Sequence, residues 1–216
     1  MQHDLFTTND APEPISIGVD ALLLPQFLSA HEQQLISAID TIIARAPWRQ
    51  LTTPGGRKLS VRTSNCGQYG WYSDRAGYRY VACDPLTGQG WPQLPQVFVE
   101  LAQAAAEEAG FADFQPDACL LNCYQPGVQM GLHQDRDEED LGAPIVSFSL
   151  GLPAQFLWGG WQRSDNVQRI RLQHGDVVVW GGEDRLRFHG IAKVAEGNHP
   201  LLGRQRINLT FRQAKG

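Results

Sequence analysis

Long apolar runs are missing from this chain. No segment approaches the roughly 18 consecutive apolar residues that a membrane-crossing helix requires, so no helical membrane span is expected. Met1-Gln2-His3-Asp4-Leu5 lacks the basic and apolar stretches of a secretory signal, and a cytoplasmic location is expected. Cysteine is sparse, and Cys66, Cys83, Cys119 and Cys123 include no CxxC pair. That argues against a disulfide scaffold and a cysteine zinc site, and reduced thiols are expected. Lysine is scarce as well: Lys58, Lys193 and Lys215 are the only three, and arginine supplies the other cations. With a net charge of −5, a broad electrostatic grip on duplex nucleic acid is not expected, although a local basic patch is compatible with it. No internal repeat or low-complexity tract appears. What is present is ordinary globular composition, 42% hydrophobic and 19% charged over 216 residues, enough for one domain with a small lid.

The pattern changes along the chain. Residues 1–14 read as a loose tail, and Ala21-Leu22-Leu23-Leu24 as a short buried strand. Ser29-Ala30-His31-Glu32 has capping-box spacing, and the helix it predicts carries Leu35, Ile36, Ile39, Ile42 and Ile43 on one face. Residues 48–93 are rich in glycine, arginine and aromatics and predict short strands and turns forming a lid, with Trp48 and Trp91 in a small core of its own. A second helix is expected from Pro95 to Gly110, its inner face formed by Val97, Phe98, Leu101, Ala104 and Ala105. After Gly110 the period becomes two. Strands are expected at Ala118–Tyr124, Ile145–Leu150, Gln155–Trp158, Gln168–Leu172, Val177–Trp180 and Arg206–Arg212. The fold class is therefore mostly β with N-terminal helices (α+β), an antiparallel double sheet of the jelly-roll kind.

Three features carry chemistry. In His133-Gln134-Asp135, residues i and i+2 of an extended chain share a side, so an imidazole and a carboxylate can meet one metal ion. His189 can complete a two-histidine, one-carboxylate facial triad of the non-haem Fe(II) type. An H-x-D triplet also arises on solvated surfaces, and this one stands open until a third feature is added. Arg206-Ile207-Asn208-Leu209-Thr210-Phe211-Arg212 alternates strictly, placing two guanidiniums on one face. On an inner face they need an anion; on an edge strand they would simply be solvated. Asn122 and Tyr124 alternate in the same way. His174 reads as structural, and His3, His31 and His199 as solvated.

These motifs carry a resemblance. Phe114-Gln115-Pro116-Asp117-Ala118-Cys119-Leu120-Leu121-Asn122 with Tyr124, His133-Gln134-Asp135, Ala143-Pro144-Ile145-Val146-Ser147, His174 to Gly182, and Arg206 with Asn208 to Gln213 occur in this order. Thr53-Pro54-Gly55-Gly56, Asn65-Cys66-Gly67 and Trp71 add to them. Over nearly the whole chain the sequence resembles the AlkB family of Fe(II)/2-oxoglutarate-dependent alkylation-repair dioxygenases, close to its bacterial founding member. The resemblance implies a single domain over 1–216. It would have a double-stranded β-helix (jelly roll) core at 114–213 and a nucleotide-recognition lid at 48–93. It implies iron ligation by His133, Asp135 and His189. It implies 2-oxoglutarate binding by Arg206, Asn122 and Tyr124 at the distal carboxylate, Arg212 near the keto-acid end and Asn208 on the same wall. Trp71 and His133 would flank the damaged base, Asp137 and Glu138 would face its polar edge, and Met130 would lie on the substrate side. Tyr78, Thr53 and Arg163 would touch flanking phosphates.

The implied reaction is oxidative demethylation of 1-methyladenine or 3-methylcytosine in single-stranded DNA or RNA. It would use Fe(II), 2-oxoglutarate and O2, release formaldehyde, and be carried out by a monomer. Cys123 stands where the founding member has arginine, and Gln129-Met130-Gly131 replaces a more basic and polar stretch. Two other readings stay open at this point. One is an oxygenase acting on a protein side chain or small metabolite; the other is a non-catalytic metal-binding jelly-roll module.

Overall fold

A computed structural model describes residues 12–215, so all but the end of the expected 1–14 tail lies outside the described residues. The elements run β1 (Ile15–Ser16), β2 (Ala21–Leu24), α1 (Glu32–Arg45), β3 (Arg62–Gly67), β4 (Gly70–Asp74), β5 (Gly77–Val81) and α2 (Gln96–Glu108). They continue with β6 (Ala118–Tyr124), β7 (Met130–His133), β8 (Ile145–Gly151), β9 (Ala154–Trp158), β10 (Gln168–Leu172), β11 (Val177–Trp180), β12 (His189–Ile191) and β13 (Arg206–Arg212). The strands form a seven-stranded sheet, β1-β2-β11-β8-β13-β6-β3, a four-stranded sheet, β10-β9-β12-β7, and a separate hairpin, β4-β5. This is the expected jelly-roll class.

Alternation divides the large sheet into two chemistries. Val177 and Val179 of β11 and Ile207, Leu209 and Phe211 of β13 join a core capped by Leu35, Ile39 and Ile42 of α1 and Phe98, Leu101 and Ala105 of α2. The opposite face looks into the space between the sheets, where Val178, Trp180, Phe156, Trp158 and Ile191 make a second core. Burying these side chains supplies the driving force, at roughly 25 cal/mol per Å² of apolar surface. β13 lies between β8 and β6 and is buried along its whole length, so its arginines are interior and not on a solvated edge.

Several expectations need correction. Ser29 and Glu32 form no capping box. Ser29 lies in a 3-10 turn with its hydroxyl donating to the Gln26 carbonyl (2.8 Å), and Glu32 reaches His174 instead (3.1 Å). His174 is structural, accepting the Gly151 N–H at Nδ1 (2.8 Å). His199 is half-buried against it, with ring centroids 4.3 Å apart, rather than solvated. On α2, Ala104 faces outward and Ala102 and Ala106 take its place inside. The 48–93 segment is also not all lid: β3 pairs along β6 as the edge of the large sheet, with Thr63 opposite Asn122.

The remaining lid hairpin is fixed at its base. Gly70 and Val81 are cross-strand partners. The Trp91 indole donates to the Val81 carbonyl (2.9 Å) and packs so closely on Gly70 that a Cβ there would lie 2.3 Å from the ring. Trp91 is thus buried at the root of the hairpin, whereas Trp48, expected in the same small core, packs on the main core beneath the helices.

Candidate active site

β7 and β12 bring the two candidate imidazoles together, because His189 pairs directly with His133 in the antiparallel register. The approach is close: a Cβ on Gly190 would lie 2.7 Å from the Met130 carbonyl oxygen. The ring centroids are 4.5 Å apart. His133 Nε2 lies 3.7 Å from Asp135 Oδ1, and His189 Nε2 lies 3.8 Å from Asp135 Oδ2. The three donor atoms fall within 4.8 Å of one another. Each imidazole Nδ1 sits against a backbone carbonyl, Gly131 at 2.9 Å and Arg187 at 3.0 Å. A neutral ring donating Nδ1–H there presents the Nε2 lone pair inward, the orientation a metal ligand needs.

The electrostatics agree with this. Burial, helped by neighbouring His133, pushes His189 down to about 4, so near pH 7 it is neutral. Burial alone would raise the Asp135 carboxyl, but the Arg212 guanidinium and then the imidazoles outweigh it and hold the group well below the usual carboxylate range. Arg212 Nη2 donates to Asp135 Oδ2 at 2.7 Å. Two imidazole nitrogens and one carboxylate are a donor set suited to Fe(II).

β13, β6 and β8 build the adjoining wall. Cross-strand pairing sets Arg206 opposite Tyr124, and Asn208 between Asn122 and Ser149. Arg206 is 1% exposed, its guanidinium 5.2 Å from the Tyr124 ring centroid and its Nη2 donating to Ser149 Oγ at 3.0 Å. Among the described residues its Nε and Nη1 have no partner, nor do Arg212 Nη1 and Asn122 Oδ1. Unmet donors on a buried cation are costly unless an anion arrives. Here they border a cleft of about 770 Å³ that also holds the metal triad. The wall therefore fits the carboxylates of 2-oxoglutarate. Burial lifts the Tyr124 phenol to about 12, so it remains a donor. Sequence reading overlooked Ser147 and Ser149 on this wall, although β8 alternates as β13 does and the same period marks them.

On the lid side, Trp71 and Tyr78 stack with centroids 5.5 Å apart, and Trp71 Nε1 donates to Asp137 Oδ2 at 2.9 Å. Met130 Sδ lies 3.7 Å from the Tyr124 hydroxyl. Thr53 Oγ1 accepts the Arg57 N–H at 3.2 Å. Arg163 donates to the Leu132 carbonyl at 2.6 Å and lies over the Phe188 ring. All of them line the same cleft. Glu138 departs from its expected place at the polar edge of a base. It is buried, and its carboxylate accepts from Tyr80 (2.6 Å) and pairs with Arg185 (3.0 Å) and Arg212 (3.2 Å). Two guanidiniums and a phenol occupy three of its roughly four acceptor sites. Tyr80 and Arg185 themselves went unread, since only the fold brings them to Glu138.

Comparison with known proteins agrees with this geometry. The profile described as the 2OG-Fe(II) oxygenase superfamily matches residues 20–212. The chain is 53% identical over 213 residues to the alpha-ketoglutarate-dependent dioxygenase AlkB of Salmonella typhimurium, covering 98% of this chain and 97% of that one. It is 52% identical over 212 residues to the Escherichia coli protein of the same name, with coverage of 98% and 97%. The solved structure of OsALKBH1 superposes with a TM-score of 0.81 at 29% identity, over 93% of this chain and 100% of that one. The chain belongs to the AlkB family of Fe(II)/2-oxoglutarate-dependent dioxygenases, near its bacterial members.

Proposed function

We propose that this dioxygenase removes alkyl groups from 1-methyladenine and 3-methylcytosine in single-stranded DNA, with RNA as a second substrate, as a cytoplasmic monomer. The observation that carries the reading is the buried, incompletely bonded Arg206 facing the same cleft as His133, Asp135 and His189, with the Trp71–Tyr78 stack at its mouth. In balance, an N-methyl base, O2 and 2-oxoglutarate give the free base, formaldehyde, succinate and CO2. Bound Fe(II) would activate O2, which supplies the oxidising power that an inert methyl C–H bond requires.

The chain's own residues do the rest. His133, Asp135 and His189 would hold the metal ion. Arg206 takes the distal carboxylate of 2-oxoglutarate, Tyr124 and Asn122 contribute hydrogen bonds, and Asn208 stiffens the wall through Ser147 Oγ (2.8 Å). Arg212 orients Asp135 and offers its free Nη1 toward the keto-acid end. A base must leave its stack to enter, which favours single strands. Trp71 and His133 flank the base, and a cationic lesion against the indole gains on the order of 0.5–2 kcal/mol. Asp137, already bonded to Trp71, faces the lesion's positive edge. Met130 packs beside it, and Tyr78, Thr53 and Arg163 meet the neighbouring phosphates.

The test supplies Fe(II), 2-oxoglutarate and a single-stranded oligonucleotide carrying 3-methylcytosine, and measures formaldehyde and succinate. Equal release of both, faster than from duplex, is expected. Succinate without formaldehyde from any methylated oligonucleotide would overturn the nucleic-acid reading and leave an oxygenase with a protein or metabolite substrate.

A further inference from the structure

The cleft mouth carries cations that the roles above leave unused. Arg57 and Lys58 are exposed and line the cleft, and among the described residues neither has an acidic partner at salt-bridge distance. In a chain of net charge −5 such a pair is a local exception. The hairpin that carries them is closed by backbone hydrogen bonds. Thr53 N–H donates to the Arg57 carbonyl (2.8 Å), Thr52 bridges Lys58, and Leu59 N–H donates to Leu51 (2.9 Å). It is moored at two places outside itself. Ser73 of β4 donates its hydroxyl to the Thr52 carbonyl (2.7 Å), and the Ser60 hydroxyl donates to the Gln129 carbonyl (3.1 Å) just before β7.

Arg163 is moored to the same strand, at Leu132. Three residues separate the two moorings, about 10 Å at roughly 3.3 Å per residue. The stacked Trp71 and Tyr78 line the same mouth. We infer that Arg57 and Lys58 form a second phosphodiester-binding lip, gripping the strand apart from Arg163 so that the backbone is held at two points along β7. This rests on the nucleic-acid reading above. It explains how an acidic protein whose 129–131 segment holds no cation still retains a charged polymer: the cations stand on the facing hairpin, preorganised by its backbone bonds. The grip is electrostatic and independent of base sequence.

The test reads binding of a fluorescein-labelled single-stranded oligonucleotide carrying 3-methylcytosine to the enzyme with Mn(II) and 2-oxoglutarate, across a range of sodium chloride concentrations. Each phosphate contact on a single strand contributes about 0.7 to the slope of log Kd against log salt. The double variant Arg57→Gln/Lys58→Gln is expected to lose about 1.4 from that slope while its melting temperature stays unchanged. A control, Arg169→Gln/Arg171→Gln, removes the same charge from exposed positions on β10 and is expected to keep the wild-type slope. Equal slopes for the wild type and the 57/58 variant overturn the lip, as does an equal loss in the control. No binding by the wild type at any salt concentration would overturn the nucleic-acid reading itself.

Discussion

Arg212 stands between two carboxylates, one facing the metal site and one that Tyr80 and Arg185 also hold. Burial would weaken its charge, but Asp135, then Tyr80 and Glu138, keep it firmly protonated. Removing one member of such a buried set strands the others. Glu138→Ala is expected to cost about 3–5 kcal/mol in denaturant unfolding, whereas Glu138→Gln, which still accepts from Tyr80, costs less. Equal losses would show that the charge of Glu138 carries the whole effect and its hydrogen bond from Tyr80 none of it. Arg49 and Asp84 give a pH-dependent counterpart. Their two hydrogen bonds (2.6 and 2.8 Å) hold the Asp84 carboxyl below its ordinary value against the opposing effect of burial. A depressed carboxylate contributes stability that is complete above its unfolded value, near 3.9, and is lost as pH falls through the lower folded value. Asp84→Asn should therefore cost about 1–3 kcal/mol at pH 7, with the deficit narrowing below about pH 4. Urea titrations at pH 7 and pH 3 check it. Single residues were legible where chemistry and period coincide, as at His133, Asp135, Arg206 and Arg212. Asp137 and Glu138 show the limit: both are acidic and adjacent, and only the turn that carries them sends one to Trp71 and buries the other.

At the scale of elements, length decided what could be read. The predicted ends of β6, β10, β11 and β13 match the observed ones, β11 through an unbroken apolar run and not through alternation. β7 and β12 carry the two histidines but have four and three residues, with neither a period nor an unbroken apolar run to mark them. β3 was hidden inside a glycine- and aromatic-rich stretch because its partner, β6, lies far along the chain. The β7–β12 contact makes a sharp prediction. Gly190→Ala puts a methyl 2.7 Å from the Met130 carbonyl oxygen, whereas Gly131→Ala meets nothing within 4 Å. The first is expected to push β12 off β7, separate His189 from His133 and weaken Mn(II) binding at least tenfold, about 1.4 kcal/mol. The second should leave it unchanged. Isothermal titration with Mn(II) distinguishes them, and equal affinities would show that the strand spacing does not set the metal site.

The whole molecule carries a cost in the space between its sheets, where Arg206, Arg212 and Asn122 keep unmet polar atoms. Ligands that satisfy them stabilise the fold by mass action, about 2.7 kcal/mol at a hundredfold excess over Kd. For a chain of this size that corresponds to a rise of roughly 5–11 °C in melting temperature. Mn(II) with 2-oxoglutarate should produce such a shift in wild type. In Arg206→Met the part due to 2-oxoglutarate should vanish and the part due to metal remain. A full 2-oxoglutarate shift in that variant would displace Arg206 from its assigned role. The architecture was legible as a class, two helices followed by alternating strands, but not its sheet order. β2 beside β11 and β13 between β8 and β6 are pairings of distant segments that no local period encodes.

The Trp91 clamp on Gly70 and Val81 divides the lid hairpin into an anchored root and an outer tip at Asp74 to Gly77. A change at that tip reaches the cleft only by way of Tyr78, which follows it directly, while the root stays held by Trp91. The outer loop is thus separable from the metal site, which rests on β7 and β12.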